Sequence, residues 1–353
     1  MIPSVPEFPL TITDLRVSAA ALRREAFRPG TRRNQSNHIR LYLSFCEHYN
    51  LEPVQPDTDT ICNYVTYLSQ RLRSPKSVTN YLSSVGLMHK YLHMPAPSLD
   101  SFELQLTTRA IKLSMRHVKD QKLPITPDLL YKLCTICDGL DCPLARMLKC
   151  AFTIAFFGFL RQSNPAPRTP AAFDPTRHTC RGNVIVTPHG LHVVLNWSKT
   201  NQHMDSHTIP LTTLQDATVD PRAAYVAMLS DTPTTSREEP LLQLPAKAGR
   251  TTVTVATLAA CLNQLLIQAG ADHRRYSLHS FRRGGATAAS LGGAAATDIQ
   301  SHGGWRSSAF IDYIRKRPHD TTVIPALAAA AATPRRTASP PAARPAASHI
   351  RID

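Results

Sequence analysis

Residues 278–286 read Leu-His-Ser-Phe-Arg-Arg-Gly-Gly-Ala, and residues 302–317 read His-Gly-Gly-Trp-Arg-Ser-Ser-Ala-Phe-Ile-Asp-Tyr-Ile-Arg-Lys-Arg. In the first stretch His279 and Arg282 stand at i and i+3, so a helix beginning near Ser280 turns both toward one place. In the second, Tyr313 follows Trp305 within a short helical pattern whose Phe310, Ile311 and Ile314 can pack. Taken singly, each is ordinary. His and Arg at this spacing arise often by chance, and a tyrosine with apolar neighbours is usually a core or interface residue. Their succession in one chain is what carries information.

Working outward, residues 151–167 read AFTIAFFGFLRQSNPAP, predicting a hydrophobic helix that ends at Arg161. An arginine closing so apolar a segment either snorkels to solvent or meets a fixed anion. Between this segment and His279 the pattern changes to strands: NVIVT at 183–187 and LHVVLNW at 191–197 flank a Pro-His-Gly turn, and SHTIPL follows from Ser206. A small antiparallel sheet is expected, with Lys199 in a hairpin loop after Trp197, where a lysine is commonly a solvated edge charge. Helices are predicted near 127–137 and 144–160, after Asp220-Pro221, and from about 255 to a stop at Gly270.

Residues 31–118 read as four short helices, the clearest carrying Ile61, Tyr64, Val65, Leu68 and Leu72 at helical spacing after Asp57 and Asp59. The segment 119–127, KDQKLPITP, has charges and two prolines but no apolar period, and is the best linker. The expected organisation is an extension over 1–30, a helical domain over 31–118, a linker over 119–127, a second domain over 128–325 and an Ala/Pro/Arg-rich tail over 326–353. Such a tail cannot repay its ordering entropy and is expected to be disordered.

The formal charge of +15, from 40 Lys and Arg against 25 Asp and Glu, favours a polyanionic partner. The excess is positive before residue 120, between 121 and 325, and in the tail, so it is not parked in one segment. No secretion signal or membrane anchor is visible, and eight cysteines in 353 residues suit an intracellular, reducing compartment. Cys134 and Cys137 have zinc-ligand spacing, with Cys142 nearby, but no second pair follows at ribbon distance. Leu130, Leu133, Cys134 and Cys137 trace one helix face, which favours packed thiols. His203 and His207 would need a helix to share a metal, yet they lie between strand-like segments.

In order, FGFLR at 157–161, a hairpin with Ser-Lys-Thr at 198–200, HSFRRGG at 279–285 and GGW at 303–305 followed by Tyr313 resemble the tyrosine recombinase (phage integrase) family. The resemblance covers residues 31 to 317, strongly in the second domain and by helical pattern in the first. FLRQSN, WSKTNQ and GGWRSSAFIDYI resemble the recombinases of Crypton and DIRS-type eukaryotic mobile elements. The fold implied is mainly α with a small antiparallel β-sheet: an N-terminal helical core-binding domain and an α/β catalytic domain.

The resemblance further implies a DNA recombinase that cleaves and rejoins strands through a 3′-phosphotyrosyl link. Tyr313 matches the nucleophile, and Arg161 and Arg282 match the pair that clamps the scissile phosphate, for which planar guanidinium forks are suited. Lys199 matches the general acid to the departing 5′ oxygen, and His279 the residue assisting proton transfer or holding the phosphate. Trp305 matches the position that is His or Trp in the family, with His302 a competing candidate. Asn164 departs from the family, which often has an acidic residue there. The arginines supply the charge, so no metal or cofactor is implied. The implied partners are double-stranded DNA and a homo-tetramer assembled on it, with no membrane, in the nucleus. In the helical domain Arg71, Arg73, Lys76, Ser77 and Thr79 cluster at a predicted helix start and are candidates for backbone-phosphate contact, or an ordinary solvated loop. A domesticated DNA-binding protein that no longer recombines, and a type IB topoisomerase, share parts of this pattern.

Overall fold

The structure, a computed structural model, describes residues 10–95, 97–115, 122–196, 206–247 and 249–314, apart from the side chains of Ala309 and Asp312. Lys199, in 197–205, lies outside the described residues, as do residues 116–121 of the linker region and the tail from 315 onward. The chain divides into two compact units, residues 1–120 and 121–353.

The first unit is helical: α1 (Ile12–Glu25), α2 (Pro29–Tyr49), α3 (Thr58–Arg71), α4 (Pro75–Tyr91) and α5 (Phe102–Ser114). Local chemistry sets the starts. Asp57 accepts a hydrogen bond from the Thr60 N–H at 2.7 Å, and prolines occupy the first turns of α2 and α4, where a missing N–H costs nothing. Tyr42, Phe45, Tyr64, Leu68 and Val85 form the core, with Tyr42 and Tyr64 meeting edge to face at 5.0 Å. Helix α1 falls in the segment expected only as an extension. A reciprocal cap between Thr11 and Asp14 fixes its start, but it buries no residue.

The second unit contains α6 (Pro127–Leu140), α7 (Pro143–Phe157), the strands β1 (Val184–Thr187), β2 (Gly190–Leu195) and β3 (His207–Thr212), then α8 (Pro221–Asp231). A hairpin of β4 (Gln243–Ala246) and β5 (Gly249–Thr252) follows, then α9 (Val255–Gln268), α10 (His279–Leu291), α11 (Ala296–His302) and a 3-10 segment Ser308–Tyr313. Strands β1, β2 and β3 form an antiparallel sheet in that order, whose last β2–β3 pair is Leu195 with His207. The β4–β5 hairpin has no counterpart in the sequence reading. Its strands are short and polar, with Pro245 inside the first.

Helix α7 is nearly all apolar and packs against α6, α8 and α10. Phe152 stacks on Phe281 at 4.7 Å, a pairing worth about 0.5–1.5 kcal/mol beyond the area buried. Cys134, Cys137 and Cys150 sit in this core, where burial pushes their thiols up to about 12, so they pack as small apolar groups. Contrary to the reading of a helix ending at Arg161, α7 stops at Phe157: Phe159 adopts a left-handed φ of 47°, which breaks the helix four residues after Ala155. No described helix is long and apolar enough to cross a membrane.

Close approach of α10 to α7 depends on Gly285. A Cβ there would fall 2.1 Å from the Phe156 carbonyl oxygen and 2.6 Å from the Phe159 ring. Gly285→Ala is therefore expected to destabilise the second unit by about 1–3 kcal/mol or more. Gly139→Ala, at a helical position with nothing within 4 Å, should be neutral or stabilising by about 0.5–1 kcal/mol. Urea denaturation midpoints check the contrast, and equal midpoints would refute it.

Candidate active site

The turn after α7 is built around two side chains from elsewhere in the sequence. The left-handed Phe159 aims its carbonyl at α10, where Arg282 Nη1 donates to it. Two residues on, the Arg161 N–H donates to Asn164 Oδ1 at 3.0 Å, and the Asn164 N–H donates back to the Arg161 carbonyl at 2.8 Å. Asn164 is 2% exposed, so a buried neutral amide closes the turn. Arg161 is thereby held half-buried at the end of an apolar helix.

His279 opens α10 and Arg282 follows one turn later, as the spacing requires. Arg282 is 2% exposed. Its Nη2 donates to the Gly303 carbonyl at 2.8 Å, and its guanidinium carbon lies 3.7 Å from the centre of the Trp305 ring and 5.4 Å from that of Tyr313. Trp305 reaches this place because the chain folds sharply after α11. A Cβ on Gly303 would fall 1.6 Å from the indole, and Gly304 has φ 61°. The indole meets Tyr313 edge-on at 5.2 Å, and the His279 ring lies 5.1 Å from Tyr313 on another side. Thr287 Oγ1 donates to the Tyr313 carbonyl at 3.3 Å, tying the 3-10 segment to α10.

Arg161, Arg282 and Trp305 line one cavity of about 260 Å³, together with His207, Gly304 and Arg306. None of its described lining residues is acidic. Of the two candidates for the His/Trp position, Trp305 contacts Arg282 and Tyr313, whereas His302 Nε2 is bonded to the Phe157 carbonyl at 2.7 Å. Leu195 and Ser206 line the cavity as well; Lys199 falls between them in sequence, outside the described residues. His207 was signalled in the sequence only as half of a remote metal pair. Its place at the start of β3, directly after Ser206, brings it into the cavity lining.

Burial pushes the Arg282 guanidinium down to about 9, with the positive charge of Arg161 adding to the effect and the Tyr313 hydroxyl opposing it. Arg161 is lowered by burial as well. Both remain cations at neutral pH. His279 is pushed down to about 4, first by burial and then by Arg282, Arg283 and Arg161, so its imidazole is neutral. Two donors, Arg282 Nε and Trp305 Nε1, are buried with no hydrogen-bond partner among the described residues. Such a cluster can hold an anion between two guanidiniums and present it to a hydroxyl.

In the first unit, Arg71, Arg73, Lys76 and Thr79 are exposed and Ser77 half-buried around the connection from α3 to α4. Arg71 lies over the Tyr67 ring at 4.7 Å, and Thr79 Oγ1 donates to the Pro75 carbonyl at 3.2 Å.

No family model and no curated protein matches this chain. Solved structures do. The integrase of transposon Tn1549 in complex with transposon right end DNA aligns with a TM-score of 0.58 at 13% identity, over 89% of this chain and 98% of that one. XerH site-specific recombinase bound to a palindromic difH substrate gives 0.51 at 12%, over 77% and 69%. A lambda integrase dimer bound to a COC′ core site gives 0.50 at 13%, over 88% and 78%. The fold is that of the tyrosine recombinases, mainly helical with small antiparallel sheets.

The electrostatics of His279 are directly measurable. Its preference for the neutral form stabilises the folded chain in full above its ordinary value of 6.5, and that contribution is lost as pH falls toward about 4. In the DNA-free protein the His279 Cε1 proton should hold a constant NMR shift from pH 8 to about 5.5. A midpoint near 6.5 would refute this environment.

Proposed function

We propose that this chain is a DNA strand-breaking and rejoining enzyme, a site-specific recombinase or integrase encoded by a mobile element and working in the nucleus. The observation that carries the reading is the convergence of Tyr313, His279 and Trp305 on a buried Arg282 beside a cavity, shared with Arg161, whose described lining holds no acidic residue. The fold shared with DNA-bound recombinases supports it.

In this mechanism the scissile phosphodiester sits in the cavity, its nonbridging oxygens facing Arg161 and Arg282. Charge grows on those oxygens in the pentacoordinate transition state, where preformed cations act most strongly. A phosphate oxygen also gives Arg282 Nε and Trp305 Nε1 an acceptor, removing a cost of about 1–3 kcal/mol per unpaired buried donor. Tyr313 Oη attacks phosphorus, forming the 3′-phosphotyrosyl bond as the bond to the 5′ oxygen breaks. Neutral His279 is fit to take the tyrosine proton, and Lys199 delivers a proton to the departing 5′ oxygen. Attack by the 5′ hydroxyl of a second strand reverses the steps and conserves the bond energy. Strand exchange brings two duplexes and four protomers together. Arg71, Arg73, Lys76, Ser77 and Thr79 contact backbone phosphates in this reading.

A nicked suicide duplex tests the proposal, because loss of the short 5′ fragment traps the covalent adduct. Wild type should yield a protein–DNA adduct that survives denaturing electrophoresis, and EDTA should not abolish it. Tyr313→Phe should give none while binding duplex nearly as well, since only the attacking hydroxyl is removed. Arg161→Ala and Arg282→Ala should each slow adduct formation by about 10²-fold or more. A wild type that binds DNA but forms no adduct would instead indicate a binding protein that retains the fold.

A further inference from the structure

Arg306 follows Trp305 directly and lines the cavity that Arg161 and Arg282 also line. Its side chain is exposed, whereas Arg161 is half-buried and Arg282 is almost fully buried. The three cations therefore grade from the floor of the cavity to its solvent side, and no described lining residue among them is acidic.

The preceding main chain fixes where Arg306 stands. The Gly303, Gly304 and Trp305 N–H groups donate to the Ile299, Ser301 and Gln300 carbonyls at 3.1, 2.9 and 3.0 Å, which closes the turn that ends α11. Arg282 Nη2 holds the Gly303 carbonyl of the same turn, and the Trp305 ring lies against Arg282 and Tyr313. The 3-10 segment that carries Tyr313 begins at Ser308, two residues after Arg306. Arg306 is thus set on the short connection between Trp305 and the segment of the tyrosine, with its cation on the solvent side of the cavity.

Burial separates two uses of a cation. A fixed, desolvated guanidinium acts on the charge that develops in a transition state, whereas an exposed one is screened by water and salt and binds ground and transition states alike. A DNA strand is a continuous polyanion, so a phosphodiester seated between Arg161 and Arg282 brings its neighbours to the mouth of the cavity. We propose that Arg306 binds the phosphate next to the scissile one and so holds the strand in register over the Arg282–Trp305–Tyr313 cluster. The inference rests on the recombinase reading of that cavity. It requires a positive charge at this position, which lysine supplies and glutamine does not.

The test compares Arg306→Gln and Arg306→Lys in the full chain, with duplex affinity measured across a salt series. Arg306→Gln should weaken binding about threefold or more and lower the slope of log affinity against log salt by about 1, while Arg306→Lys should keep the wild-type slope. In single-turnover adduct formation on saturating suicide duplex, Arg306→Gln should lose less than about threefold in rate, against about 10²-fold for Arg282→Ala. An unchanged slope in the glutamine variant, a lysine variant that loses the slope as well, or a rate loss as large as that of Arg282→Ala would each overturn the assignment.

Which phosphate is bound is read separately. A methylphosphonate removes one backbone charge at a time, on either side of the cleaved phosphodiester. At one of these two positions it should weaken wild-type binding about threefold or more yet leave the affinity of Arg306→Gln unchanged, because the two losses remove the same contact. Losses that add at both positions would overturn the assignment to a neighbouring phosphate. If wild type forms no adduct, the recombinase reading fails, and the claim that Arg306 binds a backbone phosphate stands or falls on the salt slope.

Discussion

Arg282 is a cation with almost no contact with solvent and, among the described residues, no carboxylate against it, and the turns packed around it follow from keeping it there. Removing a charge from water costs several kcal/mol even after relaxation, unless hydrogen bonds and opposite charge make up the difference. Here the compensation comes from the Phe159 and Gly303 carbonyls and from the faces of two aromatic rings. Arg181 shows what ordinary compensation looks like in the same chain. It is as deeply buried, yet it donates to Thr232 and lies 3.5 Å from Glu239. Arg181 has a carboxylate opposite it, although its Nε, like that of Arg282, has no hydrogen-bond partner among the described residues. Arg282 instead faces a second cation, Arg161, which pushes its affinity for the proton down further. That repulsion makes the cavity between the two arginines strongly positive.

The unusual backbone around the site serves the same end. Phe159 is held left-handed, a conformation costing a bulky residue about 1–3 kcal/mol, and in exchange its carbonyl points at Arg282 rather than along the axis of α7. Gly285 lets α10 lie close enough to α7 for that bond to form, and Gly303 lets the chain turn beneath the Trp305 ring. Substituting either glycine would displace the groups around the guanidinium, not merely loosen a loop. The buried cation, the strained phenylalanine and the two glycines are one device.

How much of this was legible depends on whether the determinant is local. The helices of the first unit follow from apolar spacing at Tyr64, Val65 and Leu68 and from caps such as Asp57, all local features. The pairing of His279 with Arg282 is helical geometry and was equally readable. Helix α1 was not, because its apolar positions Leu15, Val17 and Leu22 stay exposed and trace no buried stripe, leaving only the Thr11–Asp14 cap as a sign. The end of α7 was misplaced because nothing in the identity of Phe159 favours a positive φ; the bond that stabilises it comes from 123 residues away. His207 was hidden for the same reason, since its partner lies 95 residues downstream. Composition found the charges, but long-range hydrogen bonds decide where they meet.

Asn164 closes the turn beside Arg161 with a neutral amide rather than an acid. An acid at this position would sit 2% exposed beside the Arg161 main chain, close enough to add negative charge to the neighbourhood of the cavity. The amide provides the same acceptor for the Arg161 N–H and the same closed turn, without that charge. The geometry of the arginine is therefore preserved while the positive potential is left undiminished. Relative to an acid at this position, the amide gives up negative charge beside Arg161 and leaves a stronger positive potential in the cavity. The described lining of the cavity holds no carboxylate either, so the neutral residue keeps the cavity uniformly positive.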